Sequence, residues 1–139
     1  MRFLLVISAA AAAVAVAAPA SSASHATWAT QANQVCSVWI AKARKEFGSP
    51  VTPGQLYSFA HKAKALETQE LADLDKIPGR TASGTAALAA VRVDIAEIGS
   101  AITAWDKGNQ ALFITTLRRY LNDRRPKSAF ALAGAGQCG

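Results

Sequence analysis

The chain has 139 residues, 51% of them hydrophobic, with 15 lysines and arginines against 9 acids and a formal net charge of +6. Such a length holds one domain with one core and excludes a second of ordinary size. Two cysteines and two histidines leave no structural zinc site once the cysteines bond to each other, and no metal or other cofactor is expected.

Residues 1–20 read as a secretory signal peptide. Arg2 gives a short positive start, Phe3 to Ala18 is an uncharged, mostly apolar run, and two small-residue exits follow, Ala18-Pro19-Ala20 and Ser21-Ser22-Ala23. Cleavage is expected after Ala20, with Ala23 as the second site. The run falls short of the roughly 20 apolar residues of a spanning helix, so no transmembrane segment is expected after cleavage. The protein is then secreted or held in the cell envelope. Losing Arg2 leaves 14 basic residues against 9 acids, a net charge of about +5. Residues 21–27 are expected to be a mobile lead-in, and 28–139 the folded domain.

The first helix is predicted from the helical spacing of Trp28, Ala32, Val35, Trp39, Ala43 and Phe47, and Gly48-Ser49-Pro50 stops it. Cys36 lies on it, outside any lipobox, and Cys138 is the second-to-last residue. In an exported chain two cysteines pair far more often than they stay free. No Cys-x-x-Cys or neighbouring histidine favours the alternative, a pair of reactive thiols. The Cys36–Cys138 bond would pin the chain's end to its first element.

Thr52-Pro53 offers an N-cap and a first-turn proline for a second helix carrying Leu56, Phe59, Ala63 and Leu66, then Leu71 and Leu74, ending at Ile77-Pro78-Gly79. Arg80 to Gly84 reads as a flexible loop. In the third helix Leu88, Val91, Ile95, Ile98, Ile102 and Trp105 recur at steps of three and four, the seam of a helix packed on other helices. Gly99, off that seam, offers room for a neighbouring backbone. Gly108 stops the helix and Asn109 caps a fourth, with Leu112, Phe113, Leu117, Tyr120 and Leu121. Pro126 breaks it, and a short helical turn through Phe130 leads to the Cys138 tail. The prediction is an all-α, up-down-up-down four-helix bundle with a short C-terminal helical turn and one disulfide.

Few residues offer chemistry. His25 and His61 are expected to be solvent-exposed. Glu67, Glu70, Asp73 and Asp75 make an acidic patch; Glu67 and Glu70 share a face and suit a cation or paired-carboxylate role, but a solvated mixed-charge face is the expected reading. No Ser-His-Asp or Cys-His set and no phosphate-binding loop is present. Arg118, Arg119, Arg124, Arg125 and Lys127 form a candidate anion-binding patch at the end of the fourth helix, against the plain reading of cations complementing a helix dipole. Lys42, Arg44 and Lys45 should sit at the opposite pole. Trp28, Trp39 and Trp105 are expected in the core.

The order of signals resembles a broad group of small secreted helical proteins of actinobacteria, largely uncharacterised. The resemblance rests on Ala32-Asn33-Gln34-Val35-Cys36, the leucine-rich end of the second helix before Pro78, Gly108-Asn109, and a glycine shortly before Cys138. It spans about Thr30 to Cys138 and implies the bundle and the disulfide, but no activity. Ala135 stands where the group carries a larger apolar residue.

The expected function is an exported, non-enzymatic bundle engaged in binding or interaction in the envelope or medium. One alternative is a small secreted all-helical enzyme with its site between helices. The seam of the third helix, all Leu, Val, Ile and Trp, argues against it, and an inward Glu67 or Glu70 would revive it. The other alternative is electrostatic binding to anionic lipid or wall polymer; no nucleic-acid motif is present.

Overall fold

A computed structural model describes residues 27–138, so the signal peptide, its cleavage sites and His25 lie outside the described residues. Five helices run in order: α1 (Trp28–Glu46), α2 (Pro53–Asp75), α3 (Ala82–Asp106), α4 (Gln110–Asn122) and α5 (Arg125–Leu132). No strand occurs among the described residues. The predicted four-helix bundle and its disulfide are present.

Side-chain caps fix most of the starts. Thr27, Thr52, Thr81 and Asn109 each accept the N–H of the residue three positions on, filling a donor that the first helical turn leaves open. At α2 the cap is reciprocal: Gln55 Oε1 accepts the Thr52 N–H at 3.0 Å while its own N–H reaches the Thr52 hydroxyl at 3.2 Å. Replacing Thr52 with alanine is expected to lower stability by about 1 kcal/mol, read as a fall in the urea midpoint at unchanged slope.

Two local expectations are corrected. Ala82, Ser83 and Gly84 are the first turn of α3 rather than a flexible loop, because Thr81 caps them. Gly84 packs closely there: a Cβ would lie 3.1 Å from the Trp28 ring, tighter than ordinary contact. The expected short C-terminal helical turn is present as α5, with Pro126 in its first turn, where a missing N–H does no harm. At Gly99 the neighbour is the Lys64 side chain, not a backbone.

α3 is the hub, packing on α2, α4 and α5, while α1 packs on α2. The apolar interior is in two parts. One joins Trp28, Ala32 and Cys36 of α1 to Leu74 and Ile77, to Leu88 and Val91 of α3, and to Phe130, Ala135 and Cys138. The other joins Ala60 and Ala63 of α2 to Ile98 and Ile102 of α3 and Phe113 and Leu117 of α4. Trp105 stacks on Tyr57 with ring centroids 5.2 Å apart and meets Phe113 edge-on at 5.1 Å, geometries that favour aromatic pairs. Of the three tryptophans expected in the core, only Trp28 is buried; Trp39 and Trp105 are half-buried.

The tail docks on α1. Cys36 and Cys138 are bonded with Cα atoms 5.1 Å apart. Ala135 is completely buried beside them, where the small side chain fits. The Gln137 N–H donates to Asn33 Oδ1 at 2.9 Å, and Ser37 Oγ donates to Gln137 Oε1 at 2.8 Å.

Candidate acidic site between the two cores

Between the two apolar clusters lies a layer of carboxylates. α2 presents Glu67 and Glu70, α3 presents Asp94 and Glu97, and the α4–α5 junction presents Asp123. These are five of the chain's nine acids, gathered in a molecule whose net charge is +6.

Helical register places them. Along α2 and just past its end, the inward positions Ala60, Ala63, Glu67, Glu70, Leu74 and Ile77 follow steps of three and four. Along α3 a second inward row, Gly84, Ala87, Val91, Asp94, Ile98 and Ala101, does the same, and all six are buried. Phe113, Thr116, Tyr120 and Asp123 continue the pattern on α4 and past its end. The layer sits at matching heights on facing helices, where bundles build ligand and metal sites.

The carboxyls are held in strained electrostatics. Asp94 is only 7% exposed. Glu67 Oε2, Asp94 Oδ1 and Glu97 Oε2 are buried without a hydrogen-bond partner. The Tyr120 hydroxyl donates to Glu67 Oε1 at 2.5 Å. Burial pushes the Glu67 carboxyl up to about 7 against the opposing effect of that bond. Burial, helped by the charge of Glu67, does the same for Glu70. Asp94 is also pushed up to about 7, by burial first and then by its hydrogen bond to Asp123. Asp123 itself is held down to about 2, chiefly by Arg125, whose backbone N–H and Nε both donate to it, at 2.8 and 2.5 Å. The Tyr120 hydroxyl is raised above its ordinary value, by burial and by Glu67.

A cleft of about 270 Å³ opens onto the layer, lined among others by Glu67, Glu70, Asp94, Tyr120, Asp123 and Arg124. Behind the same glutamates a groove of about 230 Å³ between α1, α2 and α4 is walled by Trp39, Phe47 and Tyr120. Glu67, Glu70 and Tyr120 line both. Oxygens of Asp94, Glu97 and Asp123 lie within 4.8 Å of one another.

The expected solvated face is therefore corrected for Glu67 and Glu70, which turn inward. It holds for Asp73, paired with Lys76 at 2.8 Å, and for the exposed Asp75, paired with Arg80 at 2.9 Å and Arg92 at 2.8 Å. Nor does α3 offer only apolar residues to the interior, since Asp94 is buried among them. Of the five candidate anion-binding cations, Arg119 reaches Glu97 at 3.4 Å, and Arg125 reaches Glu97 at 3.3 Å and also pairs with Asp123. Arg124 and Lys127 line the cleft, and Arg118 is exposed. His61 is exposed, edge-on to Tyr57. Among the described residues no helix is long and apolar enough to cross a membrane.

No family model, no curated protein and no solved structure matches this chain.

Proposed function

We propose that this is an exported, non-enzymatic binding protein of the envelope or medium, with the acidic layer as its site for a cation or cationic group. Export rests on the signal-peptide reading of residues 1–20 and on the Cys36–Cys138 bond, a chemistry of oxidising compartments. The observation that carries the site is the set of buried, partnerless oxygens on Glu67, Asp94 and Glu97 beside a cleft with room for a ligand. A buried carboxylate oxygen left without a partner is costly, and a positive ligand removes that cost. Native mass spectrometry of the mature protein from its own secretion medium tests this. A retained adduct that disappears in Asp94→Asn supports the reading; no adduct, or one indifferent to that change, defeats it.

One observation favours the enzyme alternative: Glu67 and Glu70 turn inward with carboxyls near 7, as general acids and bases require. An enzyme would keep its ligand in Glu67→Gln and lose turnover. A binder would lose affinity instead. The anionic-surface alternative predicts binding to anionic vesicles that falls steeply with salt; the ion pairs that Arg119 and Arg125 make with Glu97 leave fewer unpaired cations for it.

A further inference from the structure

We propose that Asp94, Glu97 and Asp123 bind one hard divalent cation, with calcium the best fit. The inference rests on reading the acidic layer as a ligand site, and it names the ligand. Three observations carry it. Oxygens from the three side chains lie within 4.8 Å of one another, a span that an ion with oxygen ligands at roughly 2.4 Å bridges across its own diameter. Asp94 is 7% exposed and, beyond its hydrogen bond to Asp123, keeps its Oδ1 without a partner, so one carboxyl of the three is desolvated with an oxygen to spare. The donor set is all carboxylate, which suits calcium, magnesium or manganese rather than zinc or copper. Magnesium demands shorter, near-octahedral contacts and gives up water reluctantly, so the larger ion is favoured. The cleft beside Asp94 and Asp123 admits the remaining water ligands.

Two arginines compete with the ion. Arg125 spans Glu97 and Asp123, and Arg119 touches Glu97. Their side chains are 55% and 65% exposed, but the carboxyls of Glu97 and Asp123 that they pair with are only 17% and 8% exposed, so displacing them costs the ion part of its affinity. An incoming ion displaces Arg125 outward while Asp123 keeps its bond to the Arg125 backbone N–H.

The test is isothermal titration of chelator-treated mature protein at pH 7.5 with calcium chloride, and separately with manganese chloride and magnesium chloride. One calcium should bind per chain with Kd of about 10⁻⁴ M, the tight end of extracellular modules, and magnesium more weakly. Asp94→Asn, checked for fold by circular dichroism, should lose at least about tenfold in affinity, and Arg125→Ala should gain severalfold, each tenfold being about 1.4 kcal/mol. No saturable binding of any of the three ions at millimolar concentration, or undiminished binding in Asp94→Asn, overturns the assignment. If no metal binds but an organic adduct depends on Asp94, the metal assignment falls and the cleft reading stands; if neither appears, both fall.

Discussion

Reducing the Cys36–Cys138 bond is expected to lower stability by about 4 to 5 kcal/mol, the chain-entropy value for closing a loop of this length; the two residues are 102 apart in sequence. That is a large share of the 5 to 15 kcal/mol of an ordinary domain. What the bond holds explains why the effect should approach the full value. Beyond the break at Asp123, the chain contributes Phe130, Ala135 and Cys138 to the cluster that also buries Trp28 and Cys36. α5 has no side-chain cap and spans eight residues, far too few to be stable alone. Its packing on α3 and the tail's two hydrogen bonds to Asn33 and Ser37 are made at low entropy cost only while the loop is closed. Urea unfolding with and without reductant reads the difference, and the double Cys→Ala variant separates the bond from leftover thiols. The thermal midpoint should fall by more than about 10 °C. A loss below about 1 kcal/mol would mean that the tail is held by its packing alone.

Much of this frame was legible in the chain because caps and breakers act locally. Thr52-Pro53, Gly108-Asn109 and Pro126 each impose a backbone geometry that distant packing does not alter, and the helices begin and end beside them. Thr81 carries the same kind of signal, masked by the small residues after it, which made a helix start look like a loop. The acidic layer was hidden for a different reason. A helix packed on three neighbours buries a face wider than one seam, so α3 has two inward rows, and only the row from Leu88 to Trp105 is continuously apolar. The other contains Asp94 between Val91 and Ile98. On α2 the steps from Ala63 to Leu74 pass through Glu67 and Glu70, and a break in an apolar stripe is ordinarily a turn toward water. Only the facing helices distinguish the two cases: the oxygens of Asp94, Glu97 and Asp123 converge because α3 and the α4–α5 junction bring separate stretches of sequence to one height.

The folded protein, stripped of metal by chelator, should be most stable near pH 4 to 5 and weaken as the pH rises to 7.5. Glu67, Glu70 and Asp94 all have folded-state values near 7, against ordinary values of 4.5, 4.5 and 3.8. Below the ordinary values both states carry these protons and their contribution is fully present. Between them and 7 the unfolded chain gives its protons up while the folded chain keeps them, so stability drains away as pH rises through that window. The groups facing the layer oppose this only in part: Arg119 and Arg125 lie at its exposed edge, and Tyr120, which donates to Glu67, stays protonated throughout. Asp123 acts in the other direction, since a carboxyl held down to about 2 by Arg125 contributes stability that is lost only as pH falls from 3.8 toward 2. Together these set a maximum on the acid side of neutrality. A fall of roughly 2 to 4 kcal/mol from pH 5 to 7.5 is expected, since each tenfold change in a group's proton affinity is worth about 1.4 kcal/mol and the three are close enough to interact. Asp94→Asn should flatten the profile and stabilise the metal-free protein at pH 7.5 by about 1 to 3 kcal/mol, because the amide still donates toward Asp123 without a buried charge. Urea midpoints taken at half-unit intervals from pH 3 to 8 decide the matter. A profile that is flat or rising between pH 5 and 7.5 would show that the carboxyls are solvated and that α2 turns Glu67 and Glu70 to water after all. A falling profile abolished by millimolar calcium would place the ion and the protons in competition for the same oxygens.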